Sequence, residues 1–226
     1  MTIQTTTDTG NLKAAGITLA VSTALSILAM MHHPTIGARE TSAQVVEVVN
    51  EAVVNNAVHG AMILVVLLTL AAYFIYSYQR GFNKLLVILA QLFFFIGSMV
   101  MVGAALINGF IYTDFIAQLV GANSEVLTHV TPIKSLTWSA NQVLANMGVI
   151  TMSIAMVFWS IDVFSDGSLQ KGIGWYGILI GFWGFAAIAF DFMSLDLQGM
   201  TAIVVLQGLW HLSMAYLMIS KTVDSQ

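Results

Sequence analysis

Six stretches of this sequence, 14–38, 52–79, 85–113, 135–161, 172–190 and 197–220, contain no Asp, Glu, Lys or Arg. Each is close to or longer than the ~20 residues needed to cross about 30 Å of hydrocarbon as a helix. An ionised side chain at the centre of such a helix costs roughly 2.5–3.5 kcal/mol on insertion scales, so charges collect at the boundaries. The whole chain agrees: 58% of its 226 residues are hydrophobic and 8% are charged, with a mean hydropathy of +0.86. A soluble domain carries about 25% charged residues; a third of that cannot cover a water-exposed surface. The runs also lack the polar–apolar alternation of a membrane β-barrel. The expected fold is all-α, a single polytopic domain over 1–226 with transmembrane helices at about 12–32, 56–79, 84–112, 136–163, 172–194 and 199–220.

Lys and Arg set the expected orientation. Lys13, Arg80, Lys84, Lys171 and Lys221 fall on one side, and Arg39 and Lys134 on the other. By the positive-inside rule both termini are then cytoplasmic. Glu40, Glu47, Glu51, Asp114, Glu125 and Asp196 fall outside. Lys13 precedes a long apolar run with no small-residue cleavage site before His32, so the first span reads as retained and not as a signal peptide. Inner turns at 80–83 and 164–171, the latter with Ser165 and Asp166, are short. The outer segments 33–55 and 113–135 are longer and hold the only prolines, Pro34 and Pro132. In the first of them, Thr41-Ser42-Ala43-Gln44 ahead of Val45, Val46, Val48 and Val49 reads as a cap and an amphipathic helix on the outer surface.

This layout resembles a family of uncharacterised bacterial six-helix integral membrane proteins, a domain of unknown function. The resemblance covers nearly the whole chain and is carried by Leu12-Lys13-Ala14-Ala15-Gly16 and by the helix spacing. It implies the architecture and no particular activity.

Several classes of function are excluded by composition. With no cysteine, the chain has no disulfide, thiolate metal site or cysteine nucleophile. Seven Lys and Arg give no basic surface for nucleic acid. The remaining partners are the lipid bilayer and either a small-molecule ligand or a partner membrane subunit. A transporter is disfavoured, since no inverted repeat and no proline-broken span is visible.

Polar side chains inside spans are costly and are expected to face protein or a water-filled cavity. Glu47, Glu51, Asn55 and His59 recur every fourth residue, an oblique stripe if the helix is continuous. The two glutamates read as a solvated helix start; His59 is the last strongly polar group before an apolar run. Asn108 and Tyr112 lie one turn apart on the third span, and Gln207 and His211 on the sixth. Trp138, Gln142 and Asn146 share a face of the fourth. On the fifth span Gly174, Gly177, Gly181, Gly184 and Ala187 form a small-residue packing seam. Asp191 continues it, so it is expected to point into the bundle, toward Lys134 or His59. Asp162 reads as a boundary residue, and Trp138, Trp159, Trp175, Trp210, Tyr76 and Tyr78 as interface anchors.

Together His59, Asn108, Tyr112, Gln142, Asn146, Asp191, Gln207 and His211 suggest a polar vestibule open to the outside. The first functional reading is a binding or accessory protein of the bacterial inner membrane that uses this vestibule. The alternative is an enzyme or redox carrier with a metal ion held by His59, His211 and His129, or a haem between His59 and His211. No H-x-x-x-H or H-E-x-x-H pair supports the metal reading.

Overall fold

The computed structural model describes residues 9–35, 41–164 and 167–223. Arg39, Glu40, Ser165 and Asp166, used above to place the connections, lie outside the described residues. All regular structure among the described residues is helical: α1 (Thr9–Met31), α2 (Thr41–Asn50), α3 (Ala52–Arg80), α4 (Leu85–Leu106), a π-helical turn (Ile107–Ile111), α5 (Tyr112–Ala117), α6 (Ser124–Val163), α7 (Ser168–Ala189) and α8 (Leu197–Val223). Six helical stretches are long and apolar enough to cross a membrane: Gly10–Met31, Ala52–Arg80, Leu85–Ala117, Ser124–Val163, Ser168–Ala189 and Leu197–Ser220. The protein is a multi-pass membrane protein.

The bounds differ from the sequence expectation where local chemistry overrides hydropathy. α6 begins at Ser124 and not near 136, because Asn123 caps it, its side chain accepting from the Val126 amide at 3.0 Å. Pro132 lies inside this helix on an exposed face; it forfeits one ladder hydrogen bond there without ending the helix. α7 stops at Ala189, short of the expected 194, where the chain turns and Asp191 takes a left-handed φ of 57°. α3 ends at Gly81, whose φ of 99° lets its amide reach back to the Ser77 and Tyr78 carbonyls.

Each span packs on its neighbour in sequence, α1 on α3, α3 on α4, α4 on α6, α6 on α7 and α7 on α8, and α8 returns to α1. The contacts thus close into a ring. At its centre Tyr73 stacks on Trp159 at 4.2 Å and lies 5.8 Å from Trp210, with Phe94 at 5.1 Å. Trp159 and Trp210 are fully buried and Tyr76 nearly so, so these three are core residues and not the expected interface anchors. A span end offers a tryptophan either lipid headgroups or a neighbouring helix, and hydropathy does not distinguish the two. Trp138, Trp175 and Tyr78 are exposed, as anchors require.

Small residues allow the close approach that lipid does not drive. The expected seam on α7 is present: Gly174, Gly177, Gly181, Gly184 and Ala187 are all buried. A Cβ on Gly181 would sit 2.8 Å from both the Ser153 carbonyl oxygen and Val157 Cγ2 of α6. Gly97 on α4 is equally tight, with a Cβ there meeting Met152 and Thr151 of α6 at 2.7 Å.

At the end of the bundle opposite α2, Asp162 is the centre of a charged clasp. Arg80 Nε donates to its Oδ2 at 2.6 Å and Arg80 Nη2 to its carbonyl at 3.0 Å, while Lys84 Nζ is 3.4 Å from Oδ1. The Asp162 side chain is only 7% exposed. It is therefore more than a boundary residue: it ties α6 to α3 and to the start of α4.

Three outcomes follow from this packing. Gly181→Val should destabilise the protein by about 1–3 kcal/mol through overpacking, lowering the melting temperature in detergent. Gly172→Ala, where a Cβ would meet nothing within 4 Å, should leave it unchanged. Asp162→Ala removes the carboxylate shared by Arg80 and Lys84 and should cost about 1.5–3 kcal/mol, the worth of a charge-assisted hydrogen bond, read in the same melting experiment.

Candidate functional site

The α2 end of the bundle holds a cavity of about 730 Å³. Polar side chains cluster on part of its wall. α3 and the residue before it supply Glu51, Asn55 and His59; the π turn and α5 supply Asn108, Tyr112 and Thr113. α6 contributes Lys134, Trp138, Asn141 and Gln142, and α2 contributes Gln44. Its deeper wall is apolar, with Met62, Met101, Ala104, Ala145 and Met200. From Glu51 to Met62 it extends down α3 by roughly 16 Å, at 1.5 Å per residue.

Two local features build the polar wall. α3 follows α2 directly, with Glu51 at the junction: its amide closes α2 on the Glu47 carbonyl at 3.0 Å, and its carbonyl opens α3 by accepting from the Asn55 amide at 2.8 Å. Spaced four apart from the N-cap of α3, Glu51, Asn55 and His59 line up on one face and all reach the cavity. Three of the four residues of the stripe anticipated from the sequence thus form a wall of the site; Glu47, on α2 before the junction, does not line it. The second feature is the π turn, which one surplus residue forces on the end of the third span. Wider turns leave carbonyls without their usual i+4 donor and recur at functional sites. Here Asn55 Nδ2 lies 3.2 Å from both the Asn108 and the Gly109 carbonyl oxygens and 2.9 Å from Thr113 Oγ1, which itself donates to the Gly109 carbonyl at 3.2 Å.

His59 is locked in the same network. Its Nδ1–H donates to the Asn55 carbonyl at 2.8 Å, and its Nε2 accepts from Asn108 Nδ2 at 3.2 Å. One ring nitrogen donating and the other accepting defines the neutral Nδ1–H tautomer. Gly109 packs directly against this ring, and a Cβ there would collide with His59 Cβ and Cγ. Above it, His33 meets His59 edge-on with ring centroids 5.0 Å apart. Burial lowers the His33 imidazole below its ordinary value, partly offset by its hydrogen bond to the Pro34 carbonyl.

Of the eight vestibule residues expected, His59, Asn108, Tyr112 and Gln142 line the cavity. Asn146, one turn below Gln142, does not, nor do the other three. Gln207 is buried and donates to Ser153 Oγ at 3.0 Å, an interhelical bond between α8 and α6. His211 pairs through Nδ1 with Tyr73 Oη at 2.7 Å inside the aromatic core. Asp191 does not point into the bundle. It is exposed in the α7–α8 connection and makes no ion pair with Lys134 or His59, because the helix that was to carry the seam onward has already ended.

The metal set is not assembled either. His211 contacts Tyr73, which lies 14 residues along α3 from His59, roughly 21 Å. Ligands to one metal ion stand about 2 Å from it, and a haem between these two histidines would need them facing each other across one ring. His129 is exposed near the start of α6. Among the described residues no three His, Asp or Glu side chains could hold a metal ion together.

Sequence reasoning underrated Glu51, read as a solvated face, and missed Asn141, Thr113 and Lys134 as parts of one site. Asn141 carried a usable signal: it precedes Gln142 and follows Trp138 by three residues on the same helical face. Thr113 carried none, since its position depends on the π turn. No protein-family model, curated protein or solved structure matches this chain.

If Asn55 ties α3 to the π turn, Asn55→Ala should cost about 0.5–1.5 kcal/mol, the net worth of an intramolecular hydrogen bond. Thermal unfolding in detergent measures the loss, and faster amide exchange confined to 107–113 would place it. A loss spread evenly over the bundle would contradict this role.

Proposed function

We propose that the protein is a binding or accessory protein of the bacterial inner membrane, with both termini cytoplasmic and the cavity open to the periplasm. The observation that carries this reading is the cavity itself. Its size is within the range of small-molecule sites, its wall concentrates neutral hydrogen-bonding groups, and its interior ends on methionines. His59, Asn55 and Asn108 are fixed by one another before any ligand arrives, which reduces the ordering cost of binding.

The sidedness rests on charge. Arg80 and Lys84, with Lys13 and Lys171, belong to the end opposite the cavity, while Lys134 belongs to the cavity end. Positive residues favour the cytoplasmic face. α2 would then lie along the outer surface, its Val45 and Val48 buried against the bundle and Val46 and Asn50 outward. The layout resemblance to a bacterial six-helix membrane family is consistent with this placement.

The absence of cysteine makes the test direct. Single-cysteine variants Thr137→Cys and Asn141→Cys should react with a membrane-impermeant maleimide added to intact cells whose outer membrane has been opened. Lys13→Cys and Phe82→Cys should react only after the inner membrane is permeabilised, and Leu179→Cys, on an exposed face of the fifth span, should react in neither case. Labelling of the Lys13 and Phe82 variants from outside would reverse the orientation. Failure of Asn141→Cys to label under any condition would remove the vestibule.

A further inference from the structure

One wall of the cavity is not itself a span. α2 supplies Gln44 and Val48 to the lining, yet at 10 residues it is too short to cross a membrane. It joins α3 at Glu51 and packs chiefly on α5 and α6. In the ring of spans α4 stands between α3 and α6. A helix tied to α3 at one end and touching Lys134 of α6 through Gln44 near the other therefore bridges the rim of the cavity on the side of α5.

Its attachment to α3 is a joint. Glu51 is the N-cap of α3 and makes no side-chain cap bond. Among the described residues no carbonyl of α2 accepts from the Ala52, Val53 or Val54 amide, so the helical ladder is interrupted where the two helices meet. A junction of this kind can absorb a change of direction in the dihedrals of a few residues. Beyond the joint, α2 is held by Val45 and Val48, which pack on Ile116 with Tyr112 and Phe115. That cluster is separate from the two cores under the spans. A polar latch adds to it, Lys134 Nζ donating to Gln44 Oε1. A short element with its own small apolar contact opens at lower cost than the body it rests on.

We propose that α2 is a hinged lid, swinging at Glu51 to admit a ligand to the cavity and latched shut by the Lys134–Gln44 bond. What the lid admits rests on the reading of the cavity as a ligand site; the motion itself does not. A fixed strut would continue the α3 ladder and share the main core, and α2 does neither. Closed, the lid separates the methionine floor, Met62, Met101 and Met200, from the aqueous mouth. Opening withdraws Gln44 and Val48 from the rim and frees the Lys134 ammonium.

The full-length protein in nanodiscs tests this, since a cysteine placed in it is the only thiol. The reporter is Met62→Cys on the cavity floor, labelled with a neutral, water-soluble maleimide. Where opening and closing outpace the reaction, the labelling rate follows the open population. Gln44→Met and Lys134→Met should each speed labelling about two- to tenfold, the scale of one hydrogen bond. Gln44→Glu turns the latch into an ion pair and should slow it about two- to fivefold. A Glu125→Cys reporter, outside the cavity, should react at one rate in all these backgrounds. In Gln44→Met, amide exchange should quicken over 41–50 and stay unchanged over 55–65. An unchanged Met62→Cys rate in both Gln44→Met and Gln44→Glu at wild-type melting temperature would overturn the lid. So would absence of labelling in every background, or quickened exchange running unbroken from 41–50 into 55–65. If that happens while Asn141→Cys is still labelled from outside, the vestibule stands and only its lid is wrong.

Discussion

Hydrocarbon offers no hydrogen bonds, so polar side chains carried into the membrane gain by pairing within the protein, though among the described residues Ser98 Oγ, Ser160 Oγ and Trp210 Nε1 are buried without a partner. The bundle is organised by that pairing. Ser22 meets Thr69 at 3.0 Å between α1 and α3, and Ser77 meets both Gln91 and Trp159 at 3.1 Å between α3, α4 and α6. Gln207 with Ser153 and Tyr73 with His211 extend the pattern to α8. These pairs cross helix boundaries and fix which helix neighbours which, work that apolar contact alone does poorly when lipid tails compete for the same surface. Glycines bring the backbones close enough for such short side chains to meet.

Viewed against this internal pairing, the α2 end differs in kind. There the polar groups line a space, and their mutual bonds hold shapes open where those of the core close them. Asn55 spends its amide on the π-turn carbonyls, and Asn108 spends its own on His59. The remaining hydrogen-bonding capacity of Gln142, Asn141, Tyr112 and Lys134 faces the cavity. A chain that hides polarity elsewhere and gathers it here has placed its recognition surface at one end.

Much of the fold was legible because charge exclusion is a strong, local signal. The six spans, the α7 glycine seam and the stripe ending at His59 all follow from residue type and helical period. What escaped the sequence depended on partners distant in the chain. Trp159 and Trp210 look like interface anchors until the ring closes around Tyr73, and Asp162 looks like a boundary until Arg80 and Lys84 meet it. Asp191 failed for another reason: periodicity assumes the helix continues, and nothing in its small-residue pattern marks the left-handed turn that stops α7. Within the site, His59, Asn108, Tyr112 and Gln142 were recoverable one by one, but their convergence required knowing that α6 starts a dozen residues before its apolar run.

The π turn has a consequence for how this site could arise or vanish. It amounts to one extra residue wound into an otherwise ordinary helix. The wide turn absorbs that residue and keeps the helix beyond it in phase; adding one residue to the regular turns at 101–106 instead would swing everything beyond it by about 100°. Tyr112 and Thr113 would leave the cavity although neither had been altered. The identity of this wall is thus stored in helical phase, where an insertion or deletion of one codon acts as decisively as any substitution.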